Sequence, residues 1–192
     1  KNLVFGIIAI FLYVGIEVGI PNMANLYMTS PDGLGMAAGV AGTLVGAYWF
    51  LMLCGRLVGG AVGAKVSSRA MMTFVSSIAI VFVLLGMFLP ETMTMTLLDA
   101  QVPVGMVFFV LCGLCTSIMW GAIFNLAVEG LGKYTSIASG LFMVMVCGGG
   151  LLPLLQGFVA DKAGYIPSYW VIIAALAYTL WFALAGSKVE KK

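Results

Sequence analysis

The hydrophobic pattern divides the chain into six long apolar runs separated by short polar breaks. They cover about residues 3–28, 37–64, 70–89, 104–128, 135–160 and 169–186. About 20 apolar residues in helical conformation cross the hydrocarbon of a bilayer, so the pattern predicts six membrane spans. The breaks carry turn chemistry, most plainly Thr29-Ser30-Pro31-Asp32-Gly33 after the first run, where Pro and Gly favour a turn. No charge interrupts the residues between Asp99 and Glu129, or those between Lys133 and Asp161. The fourth and fifth runs therefore read as a transmembrane hairpin. Both are rich in Gly, Ser, Thr and Asn, which are useful against another helix and expensive against lipid. A hairpin of this kind faces protein or a cavity on one side, which points to a transport pathway. The segment 90–103, with Glu91 and Asp99, is expected to be an acidic loop.

Composition sharpens this. The chain is 62% hydrophobic and 8% charged, against roughly 25% charged residues in a water-soluble domain. Its surface is made for a lipid bilayer. The net charge of +2 comes without a basic cluster, which gives no reason to expect a nucleic-acid partner. There is no histidine, so His-based catalysis, His metal ligation and His proton relays are excluded. The chain is expected to be no enzyme and to use no cofactor or metal. Cys112 and Cys115 have the spacing of a redox or metal pair, but lie among Leu and Gly inside an apolar run and read as two small packing residues. The first span follows Lys1 directly, without Met, as expected after processing or in the second part of a longer chain.

Six spans put both ends on one side, and basic residues set the side. Lys1, Lys65, Arg69, Lys133, Lys188, Lys191 and Lys192 fall on one set of ends and loops. Only Lys162 falls on the other. Both termini are thus expected on the cytoplasmic face of a cytoplasmic (inner) membrane. Tyr165, Tyr169 and Trp170 would form an aromatic belt at the outer interface. Ala41-Gly42-Thr43-Leu44 aligns with Ser139-Gly140-Leu141-Phe142, and Gly59 then aligns with Gly157. This faint echo suggests two three-helix units, a common arrangement in transporters.

Glu17 is the sharpest chemical feature. A carboxyl near the bilayer centre costs several kcal/mol unless it is paired, hydrated or protonated. It is either a cavity carboxyl or a neutral acid bonded to a neighbouring helix. Asn22 and Asn25 follow, with Asn25 placed on nearly the same face as Glu17. Amides and carboxyls together suit sugar hydroxyls, which both donate and accept. Trp120 and Asn125 in the fourth span offer an aromatic face and another amide, and Gln156 in the fifth joins the candidate lining. Arg56 is expected to serve structure or gating by snorkelling and pairing with an acid such as Glu129. Glu17 and Arg56 are not expected to touch, because their depths differ by roughly 10 Å at 1.5 Å per residue. Gly148-Gly149-Gly150 and Pro153 are expected to break the fifth span near its middle, as a packing kink or as a bend that lets helices rock.

Four segments carry a family likeness: FLYVGIEVGIPN (11–22), GRLVGG (55–60), SIMWGAIFNLAVEGLGKYTSIASG (117–140) and GGGLLPLLQGFVADKAGYIP (148–167). Through them the chain resembles the fucose/galactose/glucose:proton symporters of the major facilitator superfamily, specifically their C-terminal six-helix half. The resemblance implies an all-α membrane protein of twelve helices, with this chain as one half-bundle built as a 3+3 repeat. Its partners would be a small-molecule sugar, protons and an N-terminal half across a shared cavity with alternating access. It also implies that the acids central to proton coupling lie in that other half, leaving Glu17 to bind sugar. Where the family often has Pro after the aromatic residue, this chain has Gly121. Transport of another polar solute, sodium coupling, and a non-transporting membrane domain remain the alternatives.

Overall fold

In a computed structural model, residues 2–97 and 99–188 are described. Lys1, Lys191 and Lys192, which enter the charge count above, lie outside them. The order of elements is α1 (Asn2–Thr29), α2 (Ala38–Gly63), α3 (Ser68–Phe88), a hairpin of β1 (Thr94–Leu97) and β2 (Ala100–Pro103), and α4 (Val104–Val128). A 3-10 turn (Gly132–Tyr134), α5 (Thr135–Met145), α6 (Gly148–Ala163) and α7 (Tyr169–Trp181) follow, and a π-turn (Phe182–Gly186) ends the last helix. Counting Gly132–Ala163 as one span, the described residues contain six helices long and apolar enough to cross a membrane.

The bundle is arranged around α1 and α4, the two most buried spans. Small residues let the backbones approach. A side chain at Gly6 would collide with Ala127 of α4, and one at Gly113 with the Tyr48 carbonyl of α2. Asn2 joins the same two helices at their shared end. Its Nδ2 donates to the carbonyls of Leu126, Ala127 and Glu129 at 3.3, 3.1 and 3.0 Å. Those carbonyls lie at the C-terminal end of α4, where no further helical turn supplies N–H donors.

The fifth span breaks, but just before the glycines rather than at them. The helical ladder is interrupted at Val146 and Cys147, between α5 and α6. Gly148 is instead a contact position, where a Cβ would strike the Phe11 carbonyl of α1, and Gly149 packs beside Val14. Pro153 lies within α6, where it removes one helical N–H donor.

Segment 90–103 is not a plain loop. Thr94–Leu97 pairs antiparallel with Ala100–Pro103. Alternation of Thr, Met and Leu supplies the period-2 pattern of a strand, and Asp99 takes the left-handed turn position at φ 59°. Beside this hairpin the ends of three helices are tied. Tyr27 donates its hydroxyl to Glu91, Tyr165 donates to Ser30 Oγ at 2.9 Å, and the Tyr27 and Tyr165 rings lie 5.8 Å apart.

Tyr169 is not a belt residue. It is fully buried, stacks on Phe109 with 4.1 Å between ring centroids, and donates to the Ile20 carbonyl at 2.9 Å. A carbonyl oxygen has two lone pairs, so this one can take the hydroxyl beside any helical bond it makes. Trp170, one position on, is about half exposed.

Candidate functional site

Pro21 decides the local geometry of the site. It has no N–H, so the carbonyl four residues earlier, that of Glu17, loses its helical partner. Tyr48 of α2 replaces it, donating its hydroxyl to the Glu17 carbonyl at 3.1 Å. Tyr48 also lies 3.1 Å from Thr116 Oγ1 of α4. One tyrosine thus joins α1, α2 and α4 at the level of the acid.

The Glu17 side chain is not alone. Arg56 Nη2 donates to Glu17 Oε1 at 3.1 Å, with the Arg side chain 53% exposed and the Glu side chain 14%. This overturns both expectations for Arg56: that it pairs with Glu129 and that it stays clear of Glu17. The cause is side-chain direction. Side chains lean toward the N-terminus of their own helix. Helices α1 and α2 are antiparallel, so Glu17 leans toward the depth of Arg56 while Arg56 leans toward that of Glu17. Reach from both sides closes a gap that backbone rise alone leaves open.

The pair opens on a cleft of about 790 Å³. Trp120 and Asn125 line it from α4, Gly59, Gly60 and Gly63 from α2, Ser68 and Met71 from α3, and Met143 and Val146 from the region of the α5–α6 break. Asn125 Nδ2 donates to Ser68 Oγ at 3.3 Å. The Trp120 ring meets the Tyr13 ring edge-on at 6.1 Å, and Tyr13, one turn before Glu17, is fully buried. Gly121 also lines the cleft and has open space where a side chain would stand. The cleft therefore holds an ion pair, an amide, a hydroxyl and an indole within one wall. That set can hydrogen-bond a polyol and cover one of its apolar faces.

The other expected residues lie elsewhere. Asn22 and Gln156 meet in a separate groove of about 320 Å³ between α1 and α6, together with Gly19, Gly150 and Pro153. Gln156 is fully buried, and neither Oε1 nor Nε2 has a hydrogen-bond partner among the described residues. Asn25 lines neither space; at eight residues from Glu17 it is turned about 80° away on a regular helix. The Glu129 side chain is exposed. Cys112 and Cys115 are free thiols buried in the core. Sequence reasoning does not single out Tyr13, Tyr48, Ser68 or Ser117, the last of which also lines the cleft. The one available signal was Pro21, which calls for a donor to the Glu17 carbonyl without saying which helix supplies it.

Six spans packed around α1 and α4, with a polar cleft open on one side, form the fold of one six-helix half of a major facilitator superfamily transporter. A crystal structure of such a transporter, FucP, in the outward conformation superimposes with a TM-score of 0.84 at 25% identity, over 98% of this chain and 43% of that one. The resemblance is to the fucose/galactose/glucose:proton symporters of that superfamily. A glucose/galactose transporter of Brucella abortus is 31% identical over 188 residues, covering 98% of this chain and 43% of the relative. The L-fucose-proton symporter of Escherichia coli is 26% identical over 181 residues, covering 94% and 38%. The chain thus spans less than half the length of the curated relatives it matches. No protein-family model matches it.

Proposed function

We propose that this chain is the C-terminal half of a secondary active transporter that takes up a hexose or deoxyhexose by proton symport. The observation that carries this is the cleft in which the Glu17–Arg56 pair faces Trp120 and Asn125. Sugar hydroxyls need donors and acceptors side by side, and the ion pair, Asn125 and Ser68 offer both. Trp120 supplies the flat apolar surface that a pyranose C–H face requires. Arg56 neutralises Glu17, which allows a carboxylate at this depth without a bound proton. Asn22 and Gln156 form a second polar site toward the other end of α1. Asn25 lies outside both spaces. Glu129, Gly148, Gly149, Gly150 and Pro153 act in structure and bending, with Gly148 holding α6 against α1.

The cleft is half of a binding site. Gly39, Gly42 and Gly46 follow one another along α2 with open space at each, a smooth face for a helix of the N-terminal half. The basic residues on that set of ends and loops support placing both ends of this half on the cytoplasmic side of the inner membrane. The test is uptake of labelled glucose, galactose and fucose by the full-length protein in cells or vesicles. Uptake of at least one of these should need a pH gradient. Uptake of all three unaffected by collapse of that gradient would refute proton coupling, and transport of none would refute the substrate class.

A further inference from the structure

A further polar feature lies between α3 and the end of α7, at the α2–α3 turn. A groove of about 610 Å³ runs along α3 beside the end of α7, lined by Ser67, Arg69, Thr73, Phe74, Ser77 and Leu184. Its two ends differ in character. At the α2–α3 turn stand Arg69 and Ser67, with Lys65 exposed in the turn itself. Further along, Phe74 and Leu184 are 66% and 50% exposed.

The charged end is partly fixed. Arg69 Nη2 donates to Ser187 Oγ at 3.3 Å, which holds the guanidinium between α3 and the end of the last span. Its Nε is buried without a hydrogen-bond partner among the described residues. Ser187 is followed by Lys188, which is exposed. Ser67 caps α3 by accepting the Ala70 N–H at 3.3 Å, which leaves its own hydroxyl proton available. Arg69 and the Ser67 hydroxyl thus stand at the first turn of a 21-residue helix, where the helix dipole also favours an anion, with Lys65 two residues before Ser67 and Lys188 next to Ser187 along the chain. Among the described residues no acid lines the groove. Deeper in, Thr73 and Ser77 give their hydroxyl protons to the Arg69 and Thr73 carbonyls, so the walls there are satisfied and apolar.

We propose that this groove binds one anionic phospholipid, with its phosphate at Arg69 and Ser67 and the upper part of an acyl chain against Phe74 and Leu184. The distance from Ser67 to Ser77 along α3 is roughly 15 Å at 1.5 Å per residue, enough for a headgroup, its glycerol and the first carbons of a chain. An anionic lipid fits on charge, because Arg69 lines a groove with no acid among the described residues, and Lys65 and Lys188 stand exposed near it in sequence. A zwitterionic lipid would bring its own ammonium group into the same cluster. With the basic ends cytoplasmic, the site faces the leaflet whose surface carries negative charge. The proposal concerns the α3–α7 side and stands independently of what the cleft transports.

The test is retention of lipid by the purified full-length protein. Protein in detergent is equilibrated with phosphatidylglycerol or phosphatidylcholine of the same chain length, and bound lipid is measured by native mass spectrometry. Phosphatidylglycerol should be retained preferentially. Arg69→Ala should weaken it about tenfold, and Lys65→Ala about fivefold, as expected for one cation near a charged headgroup. Lys133→Ala, at another loop of the same face, should leave it unchanged. If Arg69→Ala does not fold, Lys65→Ala and Lys188→Ala carry the test, because both side chains are exposed. Equal retention of the two lipids would overturn the site, as would phosphatidylglycerol binding undiminished in these variants or equally weakened by Lys133→Ala.

Discussion

Tyr48→Phe isolates the step on which the site geometry depends. The substitution removes one oxygen and keeps the ring, which is 1% exposed, so packing is preserved. What changes is the Glu17 carbonyl. Pro21 has already removed its helical donor, and loss of the Tyr48 hydroxyl leaves it without its protein partner in a part-buried position. A buried acceptor orphaned in this way costs about 1–3 kcal/mol. The loss should appear in full as reduced stability of the full-length protein in a reversible denaturant titration. The sharper measurement is a cycle with Pro21→Ala, which restores an N–H four residues after Glu17 and with it the helical bond. In that background Tyr48→Phe should cost well under 1 kcal/mol, because the carbonyl no longer depends on the tyrosine. The coupling between the two changes should therefore be about 1–2 kcal/mol, within the range found for residues sharing one interaction. An equal cost of Tyr48→Phe in both backgrounds would refute the reasoning, and so would a cost near zero with Pro21 in place.

Three further outcomes are expected. Arg56→Ala should lower stability or expression more than the double change Arg56→Ala with Glu17→Gln, because the single change strands a carboxylate and the double does not; quantified membrane yield of the parent and these two variants checks this. Trp120→Ala should weaken binding of the transported sugar about tenfold or more, and Trp120→Phe clearly less, since a ring face contributes roughly 1–2 kcal/mol by stacking and apolar contact; equilibrium binding to purified protein reads it. Gln156→Leu should raise thermal stability, because it removes two buried polar atoms without partners and the desolvation of an unpaired amide costs about 1–3 kcal/mol. On the proposal that Gln156 contacts the transported solute, the same change should slow uptake, measured in the same vesicles.

The six spans were legible because membrane burial leaves so blunt a mark. Long apolar runs cut by Pro-Asp-Gly or a basic turn are what a bilayer imposes on a chain that crosses it repeatedly. Glu17 stood out for the same reason, as a charge where charges are costly. Its partner did not. Arg56 was excluded by counting rise along the backbone, and the lean of two side chains on antiparallel helices reverses that result. Asn25 was assigned to the face of Glu17 by a separation of eight, which is not a whole number of turns, with Pro21 between them. The break in the fifth span was placed on the glycines because glycine reads as flexibility. Gly148 is there for closeness to Phe11, and the ladder gives way at Val146 and Cys147 instead. The hairpin at 94–103 was hidden by its shortness: four residues of alternation do not outweigh the two acids around them. Tyr169 shows the limit of residue type as a guide to depth, since a hydroxyl that finds a spare lone pair on a buried carbonyl can sit in the core.

The ties among Tyr27, Glu91, Ser30 and Tyr165 act as a hoop around one rim of the half-bundle. They gather the far end of α1, the segment after α3 and the corner before α7, so that rim cannot splay without breaking two hydrogen bonds and a ring contact together. Among the described residues the opposite end has no such hoop around α5, whose Ile137, Met143 and Val144 are each more than 60% exposed. Compliance within this half is therefore concentrated in the short α5 segment below the Val146–Cys147 break. On the proposed transport cycle, a mouth on the hooped side would form by the whole half swinging as a unit, and one on the other side by α5 bending alone.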